Sequence, residues 1–224
     1  MENFLVIIQI IILDGILSID NAAALAGIAN TLPKRAKSPI KWLGKTQREA
    51  ALKAGIFGAY AGRGLMLLLA TFIIANPWLQ LLGALYLLYL VGTHFFGWAK
   101  WEPKFNGVST FWMTVILIEI ADLAFSIDNV VAVVALSQNL WLVIGGVFLS
   151  IIMIRFAATV FMKLIKWEPF LENAAFVLIG AIAIELILKY FHFEISELLQ
   201  FAISMAIIIG FIAYGQVSRR LVRG

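Results

Sequence analysis

Long apolar runs separated by short polar connections dominate the chain. Seven runs have the length of a helix, at about 4–29, 49–75, 78–98, 110–136, 139–162, 171–190 and 197–217. A helix that crosses a bilayer needs about 20 consecutive, mostly apolar residues. The runs are too long and too uniformly apolar for the alternating strands of a membrane barrel. Pro33, Pro39, Pro77, Pro103 and Pro169 all fall between runs. There a missing N–H does least harm, because lipid cannot satisfy a freed backbone carbonyl. The pattern predicts an all-α polytopic membrane protein of seven transmembrane helices, forming one domain over 1–224.

Composition excludes the other broad classes. Of 224 residues, 62% are hydrophobic and 13% charged, and mean hydropathy is +0.97. Soluble domains carry about 45–50% apolar and about 25% charged residues, and disordered chains are less hydrophobic still. The absence of cysteine removes a disulfide scaffold and any thiolate metal site. The net charge of +4 speaks to orientation in the bilayer, not to nucleic acid. Lys34, Arg35, Lys37, Lys41, Lys45, Arg48, Lys100, Lys104, Lys163, Lys166, Arg219, Arg220 and Arg223 all fall on one side of the expected bilayer. The opposite connections offer only Lys189. The positive-inside rule therefore puts the N-terminus outside and the C-terminus in the cytoplasm. No basic segment precedes the first apolar run, which contains two Asp, so a cleaved signal peptide is not expected. Trp42, Trp78, Trp98, Trp101, Trp141 and Trp167 lie near expected helix ends, as an interfacial belt requires. Lys-Trp-Glu-Pro occurs at 100–103 and again at 166–169, and reads as an interface anchor followed by a helix stop. The basic connection 30–48 suits an anionic lipid surface.

The chemistry sits in a repeat. Asp14, Ser18, Asp20 and Asn21 form D-x-x-x-S-x-D-N in the first run, and Asp122, Ser126, Asp128 and Asn129 repeat it in the fourth. These four Asp are the only ones in the chain. Each costs about 2.5–3.5 kcal/mol at the centre of a membrane helix, so together about 10–14 kcal/mol oppose insertion. A ligand, a proton or a counter-charge has to compensate. The first and fourth runs cross in opposite directions. The chain therefore divides into inverted three-helix repeats, about 4–98 and 110–190, with an extra helix at about 197–217. Arg63 and Arg155 stand near the middles of the second and fifth runs. Inverted repeats with polar motifs at midplane are a secondary-transporter architecture, in which a two-fold axis would bring both motifs to one site.

On a regular helix Asp122, Ser126 and Asn129 share a face, as do Asp14, Ser18 and Asn21. The second Asp of each motif follows six residues after the first, about 240° around the axis. Either one Asp per repeat contacts the ion, or the helices unwind around Ser18–Asn21 and Ser126–Asn129. Unwinding is the expectation, since broken helices line polar cavities in transporters. Carboxylates, amides, hydroxyls and carbonyls are hard oxygen donors suited to Mg²⁺, Ca²⁺ or Mn²⁺. The only histidines, His94 and His192, lie at run ends and read as interfacial. Arg63 and Arg155 read as counter-ions or gate elements, or equally as helix braces. Glu119, one turn before Asp122, aligns with Ile11 in the first repeat and is a pathway candidate, as is Glu185.

These paired motifs, with Arg63 and Arg155 in a seven-run context, resemble the TerC family of membrane proteins, and the resemblance covers essentially the whole chain. It implies metal-ion transport, with Mn²⁺ as the transported ion exported from the cytoplasm, and a bacterial inner-membrane location. It also implies a ligand set of Asp14, Asp20, Asn21, Asp122, Asp128 and Asn129, with Ser18 and Ser126 as further donors. The expected function is alternating-access export of Mn²⁺, with protons as exchange partners because a desolvated carboxylate serves metal and proton competitively. Two alternatives stand beside it. One is a membrane partner of the secretion machinery that supplies metal to exported proteins. The other is an intramembrane aspartyl hydrolase, for which a carboxylate pair sharing a proton would suffice.

Overall fold

In the computed structural model the described residues are 19–33, 37–40, 42–97, 107–136, 140–193 and 195–223. They form helices α1 (Ile19–Asn30), α2 (Gln47–Leu68), α3 (Ala70–Ala75), α4 (Trp78–Phe96), α5 (Gly107–Leu136), α6 (Leu140–Trp167), α7 (Phe170–Tyr190) and α8 (Glu197–Arg223). No strand occurs among them; one isolated bridge joins Lys37 to Thr46.

Local sequence sets the helix ends. Thr46 caps α2 by accepting the Glu49 N–H at 3.4 Å, half of the Thr-x-x-Glu capping pattern. Pro77 and Pro169 occupy the positions just before α4 and α7, where the absent N–H would have had no helical partner. Gly97 closes α4 in the left-handed conformation, φ 61°, which glycine adopts without steric penalty. Among the described residues, five segments are long and apolar enough to cross a membrane: Trp78–Phe96, Thr110–Ile127, Trp141–Trp167, Phe170–Tyr190 and Leu198–Arg219. The expected second span, 49–75, is instead two segments with a one-residue interruption at Leu69. The Leu69 N–H still bonds Leu65 O at 2.9 Å, and Leu69 O still accepts from Ile73 at 2.9 Å. The backbone thus stays satisfied across the break. Two spans run further than their apolar stretches suggest, to Trp167 and Arg223, because their basic C-terminal turns extend the helix beyond the apolar part. Most of the first expected span lies outside the described residues.

Packing makes α1 and α5 the inner helices. Ala22, Ala23, Ala24, Leu25, Ala26 and Ala29 are all fully buried, so α1 presents no lipid face along this stretch. It packs on α6 and α7, and α5 packs on α2 and α4. The pairs α4–α7, α2–α6 and α1–α5 also touch. Small residues allow the approach: a Cβ at Gly27 would lie 2.6 Å from Ala175 Cβ. Close van der Waals packing replaces the hydrophobic drive that lipid removes. The outer faces carry apolar stripes such as Trp112, Ile116 and Ile120 on α5, and Phe148, Ile152 and Phe156 on α6. Trp42, Trp78, Trp141 and Trp167 are exposed next to helix ends, where the interfacial reading places them; Trp98 and Trp101 lie outside the described residues.

Helix α8 packs mainly on α7 and remains the most exposed of the apolar helices. Polar straps fasten it. Ser204 reaches Asp20 at 3.3 Å, Gln200 bonds Glu185, and Arg219 pairs with Glu168. Glu168 belongs to the second Lys-Trp-Glu-Pro copy. It does more than stop a helix, for it is fully buried against Gly215 of α8. At the same end of α7, Asn30 donates to Glu172 at 2.7 Å, while Arg48 donates to Asn30 and, at 2.6 Å, to Leu32 O.

The Gly27 contact yields a direct test. Gly27→Ala should push α1 from α7 and destabilise the protein by about 1–3 kcal/mol, read as a lower thermal midpoint in detergent. Gly64→Ala, which meets open space, should be neutral or stabilising by up to about 1 kcal/mol.

Candidate ion site within the helix bundle

The sequence places Asp122 near the middle of α5, and the fold surrounds it with α2 and α6. Its carboxylate is bound on both sides. Arg63 Nη2 lies 3.3 Å from Oδ1, and Arg155 Nη2 lies 3.0 Å from Oδ2. All three side chains are almost wholly excluded from solvent. Arg63 also approaches Ser150 Oγ at 3.5 Å, and the Ser150 hydroxyl itself donates to Val147 O at 2.8 Å. Glu119, one turn earlier on α5, meets Arg155 Nη2 at 3.1 Å, and the same nitrogen donates to Gly55 O at 3.1 Å. Two guanidiniums meet two carboxyl groups, so basic and acidic groups are matched one for one. Balanced pairing is what makes such groups tolerable away from water.

The unwinding expected around Ser126–Asn129 does not occur. Helix α5 is continuous from 107 to 136. The Ser126 hydroxyl turns back along the helix and donates to Asp122 O at 2.6 Å, a local bond compatible with an intact helix. Asp122 and Asp128 therefore remain about 240° apart around one regular axis. The side chains of Asp128 and Asn129 lie outside the described residues, as do Asp14 and Ser18.

Asp20 of the first motif has a different neighbourhood. Its Oδ1 accepts the Asn21 N–H at 2.8 Å, and its Oδ2 accepts the Ser204 hydroxyl at 3.3 Å. Glu185 is close enough to act on it electrostatically; that residue pairs with Lys189 at 2.7 Å and accepts from Gln200. Asn21 is buried beside it. Asp20 thus faces α7 and α8, whereas Asp122 faces α2 and α6. Among the described residues no three Asp, Glu, His or Cys side chains converge as a metal cage would require. His94 bonds Asn173 at 3.0 Å and stacks on Phe176 with centroids 3.7 Å apart, a structural role.

Some members of these clusters had little signal in the sequence. Ser150 and Ser204 are single hydroxyls in apolar runs, and Ser204 is far in sequence from both acidic motifs. Gly55 and Gly58 have no side chain to mark them in the sequence. Their contact proves to be the Glu119 carboxylate, since a Cβ at either position would lie 2.3 Å from one of its oxygens.

An all-helical chain with several apolar helices and ion-paired polar groups between them is an integral membrane protein. It belongs to the TerC family of integral membrane proteins, whose family model matches residues 1–223. Among curated relatives, the uncharacterized membrane protein YceF of Bacillus subtilis (strain 168) is 39% identical over 209 residues, covering 88% of this chain and 76% of the relative. The uncharacterized membrane protein YkoY of the same organism is 33% identical over 204 residues, covering 82% of this chain and 59% of that protein. No solved structure matches the chain.

The triad Arg63–Asp122–Arg155 predicts a steep dependence on charge. Asp122→Asn leaves two guanidiniums without their shared carboxylate and should cost about 3–5 kcal/mol in thermal unfolding. Adding Arg63→Gln should cost less than the sum of the single changes.

Proposed function

We propose that the chain is a secondary transporter that exports a divalent cation, Mn²⁺ in the first instance, from the cytoplasm by alternating access. The observation that carries this reading is Asp122, a buried carboxylate in one of two copies of the acidic motif. It is held by arginines from two other helices. Two guanidiniums converge on one carboxylate, so a cation that takes Asp122 displaces an arginine, one positive partner for another.

The packing pattern supports the inverted repeat. If α1, α2 and α4 correspond to α5, α6 and α7, the contact of α2 with α5 has its mate in α6 with α1. The contact of α4 with α5 has its mate in α7 with α1. The pairs α1–α5, α2–α6 and α4–α7 are then their own mates, as a two-fold axis in the membrane plane demands. Helix α8 is the element left over. In this reading Asp14, Asp20, Asn21, Asp122, Asp128 and Asn129 supply the oxygen donors along the ion's path. Hard oxygen donors select Mn²⁺, Mg²⁺ or Ca²⁺ over softer metals. Protons compete for the same carboxylates and serve as exchange partners. The location is a bacterial inner membrane, N-terminus outside and C-terminus in the cytoplasm.

Two measurements test this. In inverted vesicles the wild type should accumulate Mn²⁺, and Asp20→Ala or Asp128→Ala should reduce flux by at least about tenfold; unchanged flux in either variant removes the assignment. The chain has no cysteine of its own, so single cysteines report topology cleanly. An impermeant thiol reagent added to intact cells should label Phe193→Cys and spare Lys45→Cys, and the reverse pattern would invert the proposed orientation.

A further inference from the structure

The Arg155 guanidinium is unevenly used. Its Nη2 faces three acceptors, Asp122 Oδ2 at 3.0 Å, Glu119 Oε1 at 3.1 Å and Gly55 O at 3.1 Å. That nitrogen carries two hydrogens, so the three oxygens compete for it. Its Nη1 is buried and finds no acceptor among the described residues. A guanidinium and a carboxylate pair best through two parallel N–H···O bonds, and Arg155 makes that arrangement with neither acid. It stands between Asp122 and Glu119.

The surroundings favour movement toward Glu119. The Glu119 carboxylate lies across two glycines of α2: a Cβ at Gly58 would be 2.3 Å from Oε2, and one at Gly55 would be 2.3 Å from Oε1. The same Gly55 position lies 3.1 Å from Arg155 Nη1. Nη1 and Oε1 therefore flank Gly55, and Oε2 lies over Gly58 one turn on, with no side chain of α2 between the two groups. A divalent cation arriving at Asp122 meets positive charge on both sides, and like charges repel strongly where water is scarce. One arginine has to give way.

The geometry points to Glu119 as the reserve counter-ion of this transporter. When a divalent cation takes Asp122, Arg155 transfers from Asp122 to Glu119 over the Gly55–Gly58 surface and grips it through both Nη1 and Nη2. Glu119 is then a positioning residue that sets cation affinity without being a ligand. This inference rests on the functional reading of Asp122 given above.

Its test is Mn²⁺ binding to the purified full chain in nanodiscs, measured by calorimetry with MnCl₂. Glu119→Gln keeps the shape and removes the charge, so Arg155 stays on Asp122 and the Kd should rise about tenfold, within the range for coupled neighbours. Glu119→Gln combined with Arg155→Gln should recover wild-type affinity, because nothing then has to be displaced. A structural brace would instead leave the double variant as weak as the single one or weaker. Gly58→Ala, which keeps every charge but unseats Glu119, should weaken Mn²⁺ binding as Glu119→Gln does; wild-type affinity in this variant overturns the inference. Additive losses with wild-type binding intact overturn it alone, whereas a wild type that binds no Mn²⁺ overturns the functional reading and this inference together.

Discussion

A carboxylate without water is the constraint from which the rest of this structure follows. Asp122 sits in a helix whose outer face is built for lipid. It is tolerated there because Arg63 and Arg155 reach it from two other helices. The interaction ties α5 to α2 and α6 and fixes their depth relative to one another. It also makes the three residues interdependent, because removing one buried partner leaves the others uncompensated. Glu119 extends the balance by one turn, and Gly55 and Gly58 exist as glycines because its carboxylate occupies the space a side chain would need.

Around this centre the bundle uses the two forces that remain available in lipid, close contact between small residues and polar bonds between helices. The alanines of α1 and the approach of Gly27 to Ala175 represent the first. The straps from α8 to Asp20, Glu185 and Glu168 represent the second. The two acidic positions of the repeat that the structure describes, Asp20 and Asp122, lie in separate polar neighbourhoods. One meets Ser204 of α8, the other the arginines of α2 and α6. The equality that the doubled motif suggests in sequence is therefore not an equality of surroundings.

The intact helix at Ser126–Asn129 shows where reading from pattern reached its limit. Two Asp six residues apart do require either unwinding or a division of labour, and the spacing alone does not choose. The choice rests on local bonding. The Ser126 hydroxyl is satisfied by the Asp122 carbonyl, and an unbroken helix keeps every backbone group paired in a region with no water to help. The same demand explains why the interruption at Leu69 spans a single residue whose neighbours keep their bonds.

Apolar run length and the punctuation of proline and glycine determined the helices, because lipid penalises any unpaired backbone regardless of what packs nearby. The rarity of Asp, confined to two copies of one motif, likewise marked the two inner helices, and the isolated Arg63 and Arg155 marked the partners of Asp122. Those are properties of each segment against its solvent, and one dimension holds them. Which arginine meets which carboxylate, that Asp20 turns to Ser204 and not to Asp122, and that two glycines make room for Glu119 were decided only by the way the helices pack. Those contacts join residues between 33 and 184 positions apart. Their energies depend on angstrom-scale approach between helices, a quantity that no local pattern carries.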